Sequence, residues 1–263
     1  RIATMIPHFN LTDEERASAA WDAYLCQNLM ARFLYYQELA MEGAVFDEIW
    51  SQRKDISLGE NEGFMVGREA VRAYWVENRQ EMRQTDLNLL RAVNPPFPAV
   101  PGAGAMERFN LMSPLIEVAR DGKTAKGMWY CPGVDTQSEA DGQMHLSWHY
   151  VRYAADFILE GESWKLWHVF RGSEFRFEMG HAYIPGTGIK PLPDATVYPA
   201  NPAAAGLPLG RDLKRRYDLP VHLYSIDYGW SQYPAVPVPY EHFEETFSYG
   251  PEPFMQSRKE ELL

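Results

Sequence analysis

The spacing of apolar residues changes along the chain, from a helical period in its first part to a period of two further on. Thr12 and Glu15 form a capping box, which predicts that a long helix begins there. Apolar residues at steps of three and four predict the core-facing stripe of this helix: Trp21, Leu25, Leu29, Phe33, Tyr36 and Ala40. Gly43 is predicted to end it.

Shorter helices and a sheet complete the predicted core. Further helical segments are predicted at 45–50 and 67–82. Strands are predicted at 55–58, 106–119, 123–132 and 144–177, the last being two long strands joined at Gly161. Loops are predicted at 94–104, which is rich in Pro and Gly, and at 133–142. Consecutive strands with short turns imply a curved antiparallel sheet covered on one face by helices, which is an α+β fold.

The chain changes character beyond residue 178, where it becomes rich in Pro, Gly and Tyr and loses its periodicity. The density of aromatic residues predicts an ordered arm that packs on the core or on a neighbouring subunit, rather than a disordered tail. The sequence is therefore divided into an α+β domain at 1–177 and a C-terminal extension at 178–263.

Charge and composition narrow the classes of function. The formal net charge is −11, so the field of the protein repels nucleic acids and anionic membrane surfaces. The sequence contains neither a membrane-spanning apolar run nor a signal peptide, which predicts a cytoplasmic protein. Cys26 and Cys131 are predicted to be reduced thiols, because two cysteines are too few for a disulfide framework. The eight Trp exceed what core packing calls for, so some are expected to line a ligand.

The two long strands at 144–177 carry the candidate chemistry, because aromatic and ionisable side chains alternate along them. Successive strand residues point to opposite faces, so one face of the first strand is predicted to present Trp148, Tyr150, Arg152 and Asp156. One face of the second is predicted to present Trp164, Leu166, His168 and Phe170. If these faces coincide, the ionisable groups form either a satisfied polar network or a working pocket, and the pocket is the preferred interpretation.

Four segments carry a family resemblance: 27–33 (QNLMARF), 67–71 (GREAV), 114–125 (PLIEVARDGKTA) and 164–168 (WKLWH). Through their order and spacing, residues 11–177 resemble the SnoaL-like branch of the nuclear transport factor 2-like (NTF2-like) superfamily. The resemblance implies a cone-shaped α+β barrel with a hydrophobic cavity, in a homo-oligomer that is a dimer or a trimer. Enzymes of the superfamily include scytalone dehydratase, bile-acid dehydratases, polyketide cyclases, ketosteroid isomerase and lignin diarylpropane lyases that release formaldehyde. Their shared chemistry needs no metal or organic cofactor.

The chain departs from this superfamily at two places. Its dehydratases and isomerases tend to have a Tyr followed by an Asp near the end of the first helix, where this chain has Phe33 and Glu38. A pocket His often lies on the first strand of the meander, where this chain has Phe109. The catalytic residues of any one member are therefore not transferred whole.

His168 is the predicted acid–base residue, since an imidazole titrates near neutral pH and its strand position directs it into the cavity. Arg152, backed by Asp156, is predicted to stabilise negative charge, while Tyr36 and Tyr150 orient a substrate oxygen. Aromatic residues are predicted to line the pocket: Trp148, Trp129, Phe170, Phe33 and Phe109. The structural alternatives are a core His168 bonded to a backbone carbonyl, an Arg152–Asp156 pair without a catalytic role, and aromatic residues that only fill the core.

The leading functional hypothesis is a cofactor-independent lyase that acts on a hydroxylated aromatic or phenolic small molecule by acid–base catalysis. The reaction is a dehydration or a related elimination such as loss of formaldehyde. An isomerase or cyclase of a polyketide or steroid-like substrate, with Asp156 as its base, is the second hypothesis. A non-catalytic ligand-binding or oligomerisation module is the third. No metal site is predicted, because the spacing of His145 and His149 on a strand gives no tetrahedral ligand set.

Overall fold

The computed structural model describes residues 9–61, 63–96, 106–138, 144–178, 234–244 and 248–249. Its helices are α1 (Asp13–Glu38), α2 (Glu42–Ile49), α3 (Arg68–Arg72) and α4 (Arg79–Val93). Its strands are β1 (Ser57–Glu60), β2 (Gly63–Val66), β3 (Glu107–Phe109), β4 (Met112–Val118), β5 (Thr124–Ser138), β6 (Met144–Glu160) and β7 (Ser163–Glu178). The predicted α+β class is confirmed. No helix in these residues is both long and apolar enough to cross a membrane.

Helix α1 begins as predicted and buries a different face from the one predicted. The Thr12 hydroxyl accepts a hydrogen bond from the Glu15 backbone N–H at 3.2 Å, and the Glu15 carboxylate accepts one from the Thr12 N–H at 2.7 Å. The buried face consists of Cys26, Leu29, Met30, Phe33, Leu34 and Gln37. Trp21 is 61% exposed, so its predicted place in the core is wrong. The helix ends before Ala40, which takes the left-handed turn at φ 57°, and Gly43 lies inside α2.

The second helical region is longer than predicted. A π-helical segment, Ala73–Asn78, joins α3 to α4, so the chain stays helical to Val93 rather than to residue 82. The wider turn places Trp75 and Val76 in the core. Most of the loop predicted at 94–104 lies outside the described residues.

The strands form one mixed, seven-stranded sheet in the order β2-β1-β7-β6-β5-β3, and β4 also pairs with β5. The predicted antiparallel meander is present, but β1 adds to it in parallel beside β7. The strand predicted at 106–119 is divided into β3 and β4. The loop predicted at 133–142 is wrong for residues 133–138, which continue β5. Gly161 makes the predicted tight turn between β6 and β7, with φ at 62°.

The sheet has two faces with different neighbours. The inner face, which the helices cover, carries Tyr153, whose ring centroid is 6.3 Å from that of Phe33 on α1. The outer face carries Lys126, whose Nζ lies 3.4 Å from the ring centroid of Phe243 in the C-terminal segment. Alternate residues of β5, β6 and β7 therefore meet either the helices or the C-terminal residues 234–244 and 248–249. Within the described residues the two end strands do not pair with each other, so the sheet stays open.

Candidate active site

The strands β5, β6 and β7 hold two histidine–aspartate pairs, one on each face of the sheet. The outer pair is His168 with Asp156, which lie opposite each other in the register of β6 and β7. The inner pair is His149 of β6 with Asp135 of β5. Both imidazoles are buried, with 0% and 1% exposure respectively, so burial does not distinguish them.

In the outer pair, both ring nitrogens of the histidine face hydrogen-bond acceptors. Nδ1 of His168 lies 2.9 Å from an Asp156 carboxylate oxygen, and Nε2 lies 3.2 Å from the backbone oxygen of Asp55. Both contacts are satisfied only when each ring nitrogen carries a proton, and the ring then has no lone pair for another. The structural alternative that the sequence left open, a core histidine bonded to a backbone carbonyl, describes this geometry.

Protein groups fill the space around the outer pair. The His168 ring stacks on Trp167 at 4.5 Å between centroids and meets Phe243 edge-on at 6.4 Å. Lys126 donates to Asp156 at 3.0 Å, and the Tyr249 hydroxyl donates to the same carboxylate at 2.8 Å. Burial acts to raise the pKa of Asp156, but the charge of Lys126 and the hydrogen bond from His168 hold it well below its usual range. The hollow predicted beside His168 is therefore occupied by side chains of the described residues.

The predicted partnership of Arg152 with Asp156 is wrong. Arg152 forms its ion pair with Glu174 of β7, where a bulge in the register brings that carboxylate to the outer face. Its guanidinium also lies 5.2 Å from the ring centroid of Tyr130. Asp156 instead pairs with Lys126 and His168.

The sheet separates the residues that the sequence assigned to one cavity. On the outer face, Tyr150 stacks on Phe175 at 4.9 Å, Phe170 lies 6.1 Å from Phe64, and Trp148 is 45% exposed. On the inner side lie Tyr36 on α1 and three of the predicted wall residues: Phe33, Phe109 and Trp129. Tyr36 therefore does not meet Tyr150, Arg152 or His168, and the proposition that these residues share one hollow is corrected.

The inner pair belongs to a chain of polar contacts that ends in a hydroxyl. Nδ1 of His149 lies 3.2 Å from a carboxylate oxygen of Asp135, and Nε2 lies 2.9 Å from the Ser173 hydroxyl. Arg176 donates to the other Asp135 oxygen from Nε at 3.2 Å. The side chain of Asn61 holds the backbone of Ser173 through two hydrogen bonds, at 2.8 and 2.9 Å. The hydroxyl is thereby positioned from both sides.

The electrostatics of the inner pair favour a neutral imidazole. Burial lowers the pKa of His149, and the positive charges of Arg171 and Arg176 lower it further, although Asp135 opposes them. A neutral ring donates from Nδ1 to the Asp135 carboxylate and directs the Nε2 lone pair at the Ser173 hydroxyl. This is the orientation that a general base requires.

Beside the inner pair, a half-buried ion cluster ties the helices to the sheet. The Glu107 carboxylate pairs with Arg79 of α4 and, at 3.1 Å, with Arg171 of β7, and it accepts from Gln37 of α1 at 3.2 Å. Burial acts to raise the pKa of Glu107, but the two guanidiniums hold it well below its usual range. Tyr153 lies next to this cluster, and burial raises the pKa of its phenol, so the phenol keeps its proton.

Sequence reasoning passed over His149, although a signal for it was present. The residues of β6 at odd positions, Val151, Tyr153, Ala155 and Phe157, are more apolar than their even-numbered neighbours, which indicates the core-facing side. His149 belongs to that odd-numbered series. Its partners Asp135 and Ser173 lie on other strands and had no local signal. Within the described parts of the chain, no group of three or more His, Cys, Asp or Glu side chains is arranged to hold a metal ion.

The elements form an α+β fold with a polar cluster between the helices and the sheet. The family model for the SnoaL-like domain matches residues 18–169, more than half of the chain. The chain belongs to the SnoaL-like domain family. No curated protein sequence matches it significantly.

Solved structures of low sequence identity resemble this chain. An NTF2-like superfamily protein from Salmonella enterica serovar Typhimurium is 13% identical, with 62% of this chain and 99% of that chain covered and a TM-score of 0.44. Hexachlorocyclohexane dehydrochlorinase LinA-type3 from Novosphingobium barchaimii is 15% identical, with coverage of 66% and 99% and a TM-score of 0.43. An NTF2-like protein with a cystatin-like fold from Novosphingobium aromaticivorans is 16% identical, with coverage of 60% and 85% and a TM-score of 0.39.

Proposed function

We propose that this protein is a cofactor-independent lyase for a hydroxylated aromatic small molecule, with His149 as its acid–base residue. The observation that carries the proposal is the contact of the neutral His149 ring with the Ser173 hydroxyl at 2.9 Å, while Asp135 holds the other ring nitrogen. Membership of the SnoaL-like family supports a small-molecule enzyme of the lyase or isomerase type. The proposed catalytic base is therefore His149, on the helix-covered face, and not His168, which the sequence favoured.

In the proposed reaction Ser173 connects His149 to the substrate, because it is the more exposed end of the contact chain. The hydroxyl passes its proton to Nε2 as its oxygen takes a proton from the substrate. The electron pair of the broken bond moves through the conjugated system and expels a hydroxyl group from a neighbouring carbon. That group takes a proton from the Ser173 hydroxyl, which recovers one from the imidazolium, and it leaves as water, so atoms and charge balance. Such proton transfer typically contributes about 10²–10⁴-fold in rate.

The surroundings of the inner pair suit this chemistry. Asp135 stabilises the imidazolium that forms during the reaction, and Arg171 and Arg176 provide positive charge for a developing oxyanion. Phe109 meets the His149 ring edge-on at 5.4 Å and gives the imidazole an apolar neighbour that disfavours its charged form. Phe33 and Trp129 extend the same apolar side of the sheet.

Mass spectrometry of reaction mixtures tests the proposal. The full chain is incubated with a panel of phenolic, polyketide-like and steroid-like alcohols, and products are examined for loss of water or of formaldehyde. A lyase produces a lighter product, whereas an isomerase or cyclase leaves the mass unchanged. Ser173→Ala should retain folding and substrate binding but slow turnover. An active enzyme whose turnover is the same in Ser173→Ala and His149→Gln as in the wild type would refute the assignment.

A further inference from the structure

Helix α1 buries one face against the sheet, while three aromatic side chains on its opposite face are exposed. Its buried residues, from Cys26 to Gln37, face the sheet. On the opposite side an aromatic stripe, defined here as Trp21, Tyr24, Asn28, Arg32 and Tyr35, follows steps of three and four along the helix. At 100° per residue these positions fall within an arc of about 80°. Trp21, Tyr24 and Tyr35 are 61%, 54% and 62% exposed.

The aromatic stripe is pre-organised for binding, because its side chains and the helix that carries them are already ordered. The rings of Trp21 and Tyr24 already stack on each other, with centroids 5.3 Å apart. The helix beneath them is held by its capping box and by a 2.9 Å hydrogen bond from the Trp164 indole to Asp22. A partner that binds here therefore orders little backbone, and contiguous exposed aromatic surface of this kind marks an association site.

The spacing of the aromatic stripe identifies its partner. Positions 21, 24, 28, 32 and 35 are symmetric about 28, because 21 and 35 lie seven residues from it and 24 and 32 lie four. We propose that a second copy of this chain packs its own α1 antiparallel on the stripe, with the twofold axis at Asn28. Trp21 then meets the partner's Tyr35, and Tyr24 meets the partner's Arg32. This inference is independent of the catalytic proposal.

Each contact across the proposed axis is chemically complementary. An aromatic pair forms between Trp21 and the partner's Tyr35, and the guanidinium of Arg32 lies over the ring of the partner's Tyr24. The Asn28 amide carries both a donor and an acceptor, so it can hydrogen-bond to its symmetry mate. A twofold contact requires this self-complementarity, in which residue i meets j and j meets i.

The available area agrees with a dimer. Six half-exposed aromatic side chains, three from each copy, offer roughly 500–900 Å² of the surface that such residues bury. The flanks of two helices that overlap over about 30 Å supply further area. Stable interfaces bury about 1,200 Å² or more in total, a value within reach of this geometry.

Sedimentation or light scattering of the full chain tests the dimer. Wild-type protein should have twice the 30.2 kDa chain mass. Trp21→Glu and Arg32→Glu should each weaken association by about 30-fold or more, as central aromatic and Arg residues of interfaces do. Tyr130→Glu is the matched control, because Tyr130 is 47% exposed on the outer face of the sheet and should leave the dimer unchanged. Circular dichroism confirms folding of each variant.

Disulfide trapping then tests the position of the axis. Asn28→Cys places two thiols on the proposed twofold, so mild oxidation should link two chains. Gln27→Cys, exposed but outside the aromatic stripe, is the control and should stay unlinked. A wild-type monomer, an oligomer unaffected by Trp21→Glu, or cross-linking at position 27 but not 28 would overturn the proposal.

Discussion

The two histidine–aspartate pairs share strand β6, and their imidazoles are equally buried, yet their chemistry is opposite. In the outer pair, the ring nitrogens of His168 face a carboxylate and a backbone oxygen, so the ring is locked between acceptors. In the inner pair, one nitrogen of His149 faces a hydroxyl, which both donates and accepts protons. The comparison indicates that the partner of the second nitrogen, rather than burial, decides whether an imidazole is locked between acceptors or is oriented to exchange a proton with a hydroxyl.

The outer pair also has a structural role that the inner pair lacks. Asp156 receives contacts from Lys126 of β5, His168 of β7 and Tyr249 of the C-terminal segment. One carboxylate thus joins two neighbouring strands and the chain that covers them. The inner pair contacts Ser173 of β7, whose backbone is held by Asn61, the residue that follows β1.

Exchanging the two histidines for glutamine should produce the largest difference. His149→Gln should lower kcat by about 10²–10⁴-fold, because the general base is lost. His168→Gln should keep kcat near that of the wild type in the folded protein, since both nitrogens of the His168 ring already contact protein oxygens. Steady-state kinetics on a substrate from the panel measures both. If the effects were reversed, the outer pair would be the active site.

Removing the carboxylate of each pair should affect stability in the opposite order. The loss should be larger for the outer pair than for the inner pair. Asp156→Ala should lower the free energy of unfolding by about 3–5 kcal/mol, because Lys126 loses its counter-charge and the buried His168 ring loses a hydrogen-bond partner. Asp135→Ala, the matched control, should cost less, about 1–3 kcal/mol, since its side chain keeps some contact with solvent. Urea unfolding measures both values. A loss below about 1 kcal/mol for Asp156→Ala, as for an exposed ion pair, would contradict the structural role.

Acid should weaken the fold through Asp156. Burial acts to raise the pKa of this carboxyl, but Lys126 and His168 lower it well below the value in an unfolded chain. Its stabilising contribution is therefore complete above about pH 4 and is lost as the pH falls toward the folded-state pKa. Urea unfolding across about pH 2–6 should show stability declining with acid. Asp156→Asn should make that decline shallower. If the free energy of unfolding fell with pH as steeply as in the wild type, Asp156 would not be the source of the acid sensitivity.

The smallest expected effect is a shift in the pH dependence of kcat/KM. Burial and nearby guanidiniums lower the pKa of His149, so the acid limb of kcat/KM should lie below the ordinary histidine value of about 6.5. Arg176→Gln removes one of these positive charges and should move the limb to higher pH. His168→Gln should leave the limb in place. If His168→Gln shifted the acid limb of kcat/KM instead, the pH dependence would belong to the outer pair.

Local sequence signals predicted much of the fold. The capping box at Thr12 and the turn at Gly161 depend on residues a few positions apart, and both are present as predicted. Asp156 and His168 share one face, as predicted, but the register bulge beside them puts Trp164 and Leu166 on the opposite face, so the predicted single face of β7 is wrong for these two residues. The π-helical segment and the register bulges had no such local signal, so the end of α4 and the partner of Arg152 were wrong.

The sequence by itself determined the α+β class, the helices that precede a meander of long strands and the alternating faces of β6, since these follow from hydrogen-bond geometry and the period of neighbouring residues. Strand β2, which pairs with β1, was not predicted. Only the tertiary structure decided which face the helices cover. Alternation is the same whichever side meets the helices, and both faces of β6 carry aromatic and ionisable groups. The contacts of Tyr153 with Phe33, and of Asp156 with Tyr249, join residues far apart in the chain and assign His149 and His168 to different surroundings.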